Sequence, residues 1–179
     1  MTEIQIRRLI RSALLTGFTE QGITIGVQRN MQQRWTQTPS NPTLVYHRIA
    51  TTPVHWTYSK VKVIAGKDLY EHHSNKLVTF QINAIVPNVK PEDENEDTLL
   101  AEDYLTTARM ILQSRNFLEV CKGLGINVLN VTSVADVTVQ NESDNWESQP
   151  SFDITLALKD VLTQSVGRVE SFDSNIYRV

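Results

Sequence analysis

The chain has 179 residues, 40% of them hydrophobic, which is room for one domain of ordinary size with a real core. Its charges nearly cancel, at 17 Lys/Arg against 20 Asp/Glu, but they are unevenly placed: residues 1–91 hold 11 basic and 4 acidic side chains (+7), and residues 92–179 hold 6 and 16 (−10). This excludes a uniformly basic DNA-coating protein and a uniformly acidic disordered chain, and the single Cys121 excludes an internal disulfide or a four-cysteine zinc site.

From Thr2 to about Leu15 the spacing predicts an amphipathic helix, with Ile6, Leu9, Ile10, Ala13 and Leu14 on one stripe. Thr2 and Gln5 have capping-box spacing, and Gly17 reads as the stop. Arg7, Arg8 and Arg11 fall mostly on the opposite face, as a solvated surface or as a basic surface for an acidic partner. Charges run through the apolar positions of MTEIQIRRLIRSALLTGF, so no signal peptide is expected, and no window nears the ~20 apolar residues needed to span a bilayer. The expectation is a protein folded in the cytoplasm.

Residues 19–42 include a short strand candidate, ITIGV, and then a polar, proline-bearing connection. A loop of that length inside a compact domain usually serves a purpose, and contact with a neighbouring subunit is one. Thr43–Ala50 alternates as a strand, as do Val54, Trp56 and Tyr58, after which the phase shifts to Val61 and Val63 as a β-bulge or a bend would cause. Leu77–Val86 is the clearest strand, with Val78, Phe80, Ile82, Ala84 and Val86 on one side. Short spacings imply antiparallel hairpins.

The acidic segment PNVKPEDENED (87–97) leads into a helix from about Thr98 to Gln113. A break near Ser114–Asn116 and renewed helical spacing at Phe117, Val120, Cys121 and Leu124 predict two helices or one kinked helix, ended by Gly123 and Gly125. Strand character returns over Ile126–Val139, Asn141–Gln149 reads as a polar turn, Ser151–Lys159 alternates, and a last strand is expected at Gly167–Ile176. The fold class is therefore α+β, a mostly antiparallel sheet with an N-terminal helix and a central broken helix packed on one face, in one domain over 1–179.

No catalytic, cofactor or metal residue stands out. His47, His55, His72 and His73 have no Cys, Asp or Glu at ligand spacing, and the glycines form no GxGxxG and no GxxxxGK motif. Cys121 on its apolar stripe reads as a small hydrophobe. Arg29, Arg34, Arg48, Lys60, Lys62 and Lys67, with Trp35, Trp56 and Tyr58 nearby, match no nucleic-acid-binding motif. Loop placement and charge single out Arg29, Arg34 and the run Glu92, Asp93, Glu94, Glu96 and Asp97 as candidate subunit or partner contacts. The run lacks EF-hand spacing.

The phrases PTLVYHRIATTPVHW, YEHHSNKLVTFQINAI, GINVLNVTSVADV and WESQPSFDITLALKDV, in that order around a helix, resemble the tail terminator and neck proteins of tailed bacteriophages. The resemblance extends from the N-terminal helix to about Val169 and carries no catalytic motif. It implies a non-enzymatic virion protein, assembled in the host cytoplasm without cofactors. Such a protein forms a hexameric ring at the head-proximal end of the tail, caps the tail tube and joins it to head-completion or connector proteins. Genomic DNA passes through the lumen without sequence-specific binding, and no membrane is involved. The alternatives are a small-molecule-binding or enzymatic α+β domain, for which no converging polar set can be named, and a nucleic-acid-binding module.

Overall fold

The computed structural model describes residues 3–29, 40–64, 67–86, 99–135, 138–140, 146–148 and 150–165. Helix α1 (Glu3–Glu20) and strand β1 (Gly26–Arg29) come first. Two long strands follow, β2 (Thr43–Ile64) and β3 (Lys67–Ile85), then helices α2 (Ala101–Gln113) and α3 (Arg115–Gly123). Strands β4 (Ile126–Val131), β5 (Thr138–Gln140), β6 (Trp146–Ser148) and β7 (Ser151–Ser165) complete the order. Five strands form the main sheet in the order β1-β2-β3-β7-β4, and β5 and β6 form a separate ribbon. The α+β class expected from the sequence is what forms.

α1 buries Ile6, Ile10, Leu14 and Phe18, four positions repeating every four residues along one face. It does not stop at Gly17. The helix runs on to Glu20 and closes with a Schellman motif, in which Ile23 N–H donates to Phe18 C=O, Gly22 N–H donates to Thr19 C=O, and Gly22 takes φ +73°. Gly17 instead serves helix packing. A Cβ there would lie 2.7 Å from Ile111 of α2, so the missing side chain lets the two helices approach. The capping pair at Thr2 lies outside the described residues.

β1 is parallel to β2, Gly26 opposite Thr43 through Arg29 opposite Tyr46, so this corner of the sheet is no hairpin. The segments read from sequence as two strands are one, β2, carrying register shifts at Arg48/Ala50 and at Val54/Thr57. The phase shift expected between Tyr58 and Val61 is not there, since Tyr58 to Ile64 pairs with β3 without a register shift; the irregularity lies earlier, inside the stretch read as alternating. β3 is also longer than its apolar half, because its first ten residues alternate without a buried apolar side. β7 lies antiparallel to β3 from Asn83 opposite Ser151 to Leu69 opposite Ser165. β4 pairs with β7 over Ile126–Val131 only. The strand expected to continue to Val139 breaks after Val131, and Thr138–Gln140 pairs instead with Trp146–Ser148, part of the segment read as a polar turn. The last expected strand, Gly167–Ile176, lies outside the described residues.

Leu44 and Tyr46 of β2, Val78, Phe80 and Ile82 of β3, and Phe152, Ile154, Leu156 and Leu158 of β7 share one sheet face, and the helices pack on it. α2 adds Tyr104, Leu105, Ala108, Ile111 and Leu112, and α3 adds Phe117 and Cys121. Phe18, Phe80 and Phe152 are fully buried, each worth about 1.5–3 kcal/mol of apolar burial. α2 ends where α3 starts: Ser114 closes the first helix and its Oγ accepts the Phe117 N–H at 3.3 Å at the start of the second. The predicted break is thus two helices sharing one serine. Val120 and Leu124, placed on the apolar stripe of α3 by spacing, are half exposed.

Candidate functional site

Two features stand apart from the core. The first is an arm made by the distal parts of β2, β3 and β7. Among the described residues, the core cluster includes nothing on β2 after Tyr46, on β3 before Val78, or on β7 after Leu158. The strands nevertheless continue to Ile64, back from Lys67, and out to Ser165. At about 3.3 Å per residue, β2 alone is about 70 Å of chain. β1 covers the outer edge of β2 only at Thr43–Tyr46. β4 covers the outer edge of β7 only between Ile154 and Leu158. Past Tyr46 and past Leu158 both edges lack a strand partner among the described residues. They are different edges, one on β2 and one on β7, and each presents backbone donors and acceptors to a further strand.

The arm is tied by a polar network on the face away from the helices. Glu71 is 9% exposed and His73 6%. Lys62 Nζ donates to Glu71 Oε1 at 2.8 Å, and His73 Nε2 lies 3.0 Å from Glu71 Oε2. The hydrogen bond from Lys62 holds the Glu71 carboxyl below the usual carboxylate range, against the opposing effect of its burial. Ser59 Oγ and His72 Nδ1 meet at 3.3 Å on the opposite face. The adjacent histidines therefore point to opposite faces, as their position on a strand requires.

The second feature is a cluster of guanidiniums where the N-terminal half of α1 crosses the β1–β2 edge. Glu3 accepts from Arg7, one helical turn on, and from Arg48 Nη1 at 2.5 Å. Arg29 pairs in register with Tyr46, two residues before Arg48, so its side chain leaves the sheet on the same side. Arg7 is close enough to feel the charges of both Arg29 and Arg48. Partial burial and those like charges lower its guanidinium pKa. Arg11 anchors the helix to the strand through Nε to the Val27 carbonyl at 3.2 Å. Two guanidiniums, Arg7 and Arg48, thus share one carboxylate, and Arg29, near Arg7, is exposed with no ion pair to any described residue.

Of the candidate contact residues, Arg29 belongs to this cluster. Arg34 and the run Glu92, Asp93, Glu94, Glu96 and Asp97 lie outside the described residues. Arg7, Arg48 and Glu3 complete the cluster. Arg7 was legible as one of the off-stripe residues of α1, and Arg48 as one of the scattered basic residues. Their meeting at Glu3, 45 residues from Arg48, had no sequence signal.

Enzyme-like features are weak where the chain is described. No group of three metal-ligating side chains occurs among the described residues. Cys121 is 1% exposed, and burial pushes its thiol up to about 11, so it carries almost no thiolate at neutral pH. A groove of about 460 Å³ lies between α1 and the α2–α3 corner, lined by Leu9, Ala13, Gly17, Ile111, Phe117 and Val120 among others. Its walls bring no acid, base and nucleophile together. Among the described residues, no helix is long and apolar enough to cross a membrane.

Known proteins share both the sequence pattern and the fold. The sequence matches, over residues 5–168, the family model described as E217 gateway protein gp29. Among solved structures the chain is similar to the sheath/tube terminator, in its extended state, of the extracellular contractile injection system PVC. The TM-score is 0.56 at 11% identity, covering 100% of this chain and 64% of that one. At that identity the likeness is one of fold, and this chain spans less than two thirds of the terminator's length. No curated protein sequence matches the chain.

Proposed function

Because the chain belongs to the family of the E217 gateway protein gp29, we propose that it builds a ring at the head-proximal end of a phage tail, as a tail terminator or neck subunit. Family membership makes it a phage tail structural protein and not an enzyme. In the proposed role six copies cap the tail tube and join it to the head-completion or connector proteins. DNA passes through the lumen without base-specific contacts. Each subunit folds as one domain, and the ring assembles in the host cytoplasm before residing in the virion.

The observation that carries the ring is the arm with two unlike edges that have no strand partner among the described residues. A closed ring needs a head-to-tail contact between two different patches on each subunit. β2 and β7 are both antiparallel to β3 and so run in the same direction. A neighbour related by rotation about the ring axis would bring its β2 edge to this chain's β7 edge as a parallel pair. Backbone groups along these edges that no described strand pairs are then satisfied by the next copy. The likeness in fold to the PVC sheath/tube terminator supports a position at the end of a tube.

The test is negative-stain imaging of particles assembled without this protein. Overlong tails identify a terminator, and normal tails without heads identify a joining subunit. Complete, infectious particles would contradict the proposal.

A further inference from the structure

The guanidinium cluster is unbalanced. Arg7 and Arg48 share the single carboxylate of Glu3, Arg29 stands exposed beside them, and no other described acid joins them. Such a cluster is a receptor for anions, since each guanidinium presents a planar fork of donors that fits a carboxylate. Its place narrows the donor. Arg48 sits just past the end of β1, where the outer edge of β2 has no strand partner among the described residues. Whatever docks along that edge starts next to Arg29 and Arg48. The second copy as partner follows from the ring proposed above, in which a neighbour occupies this edge. The chain itself carries the complementary chemistry: Glu92, Asp93, Glu94, Glu96 and Asp97 place five carboxylates within six residues. That run is tethered to the exposed Leu99 and Leu100 at the start of α2.

We propose that the cluster of Arg7, Arg29 and Arg48 receives the acidic run Glu92–Asp97 of a second copy of this chain, and that this contact sets the register between adjacent subunits. Exposed ion pairs add little affinity individually, so the contact selects orientation and is sensitive to salt. Glu3 holds Arg7 and Arg48 in place in the free subunit and competes with the incoming carboxylates. A phosphate backbone is the less suitable ligand. The cluster is small, is already partly neutralised by Glu3, and has no exposed aromatic among its members on which a base could stack.

Two measurements on the full chain test this. In the first, a synthetic peptide spanning residues 91–98 is titrated into the protein and the arginine side-chain N–H signals are followed by NMR. The expected result is that the Arg7, Arg29 and Arg48 signals shift, and that the shifts vanish at about 1 M salt, where the screening length is about 3 Å. In the second, self-association is followed by sedimentation velocity. The double variant Arg29→Glu/Arg48→Glu should associate about tenfold more weakly, or about 1.4 kcal/mol. Adding Glu92→Lys and Glu94→Lys should restore association, which a merely misfolded variant could not do. Glu3→Gln should tighten association by removing the competing carboxylate.

Absence of peptide shifts, or shifts confined to other residues, would overturn the proposal. So would shifts caused by duplex DNA and not by the peptide. Peptide binding seen only after the chain's own run is neutralised, in a dilute monomer, would place the run on its own subunit and overturn the second copy. A ring that forms equally well with Arg29→Glu/Arg48→Glu would leave the ring standing and remove this contact. Peptide shifts in a chain that never self-associates would remove the ring instead.

Discussion

At Gly17 one absent methyl group sets the approach of two helices. A Cβ there meets Ile111 Cδ1, Cγ1 and Cγ2 at 2.7–2.8 Å, well inside contact distance. Alanine is the better helix former by about 1 kcal/mol, but the clash is with a β-branched side chain that is itself buried in the core. Overpacking of this kind costs about 1–3 kcal/mol. Gly17→Ala is therefore expected to lower the denaturation midpoint, and Ile111→Ala in the same chain should recover part of the loss. Additive losses in the double variant would contradict the contact. Cys121 makes a second residue-scale prediction. Its thiol is neutral in the folded state up to about pH 11, whereas an exposed thiol ionises near 9.0. Above that lower value the unfolded chain loses the proton first, so stability falls with rising pH across the window from 9.0 to about 11. Cys121→Val should flatten the slope of unfolding free energy against pH in that window. An unchanged slope would show that other groups, such as lysines, account for it.

At the scale of elements, the α2–α3 corner depends on Ser114, which ends one helix and caps the next. Ser114→Ala should cost about 1 kcal/mol, the usual worth of an N-cap, read as a shift in urea midpoint. Retained stability would mean the corner is held by Phe117 packing alone. The arm makes a pH prediction of opposite sign to that of Cys121. Glu71 is held ionised by Lys62 and His73, so its contribution is full at neutral pH and is lost as pH falls through its lowered value. Hydrogen exchange at residues 69–75, corrected for its intrinsic pH dependence, should show protection falling in acid. Glu71→Gln should remove that dependence, and an unaltered profile would contradict the network. These elements also show what sequence reading reaches. The stripe of α1, the break at Ser114 and the alternation of β7 were legible because each is local periodicity. The length of β2 was not, because shifts at Arg48/Ala50 and Val54/Thr57 interrupt its alternation. The true role of Gly17 was hidden for another reason: its partner, Ile111, is 94 positions away.

At the scale of the whole molecule, the uneven charge of the sequence acquires a location on its basic side. Arg7 and Arg48 meet at Glu3, with Arg29 near Arg7, beside a sheet edge that has no described strand partner, although the three are spread over 42 positions. Only Arg29 could be nominated from sequence, since convergence of α1 with the β1–β2 edge is a tertiary event. The edges of β2 and β7 that have no strand partner among the described residues were equally invisible, because pairing between strands is a tertiary event. Together they favour an assembly in which each copy offers one edge and receives another, and whose cohesion weakens with salt. The most direct measurement is electron cryomicroscopy of the intact particle, with this chain fitted to the density where tail meets head. The account predicts a closed ring of copies at the head-proximal end of the tube, each β7 edge beside the β2 edge of its neighbour. Density for the chain elsewhere in the particle, or isolated copies that do not touch one another, would contradict it.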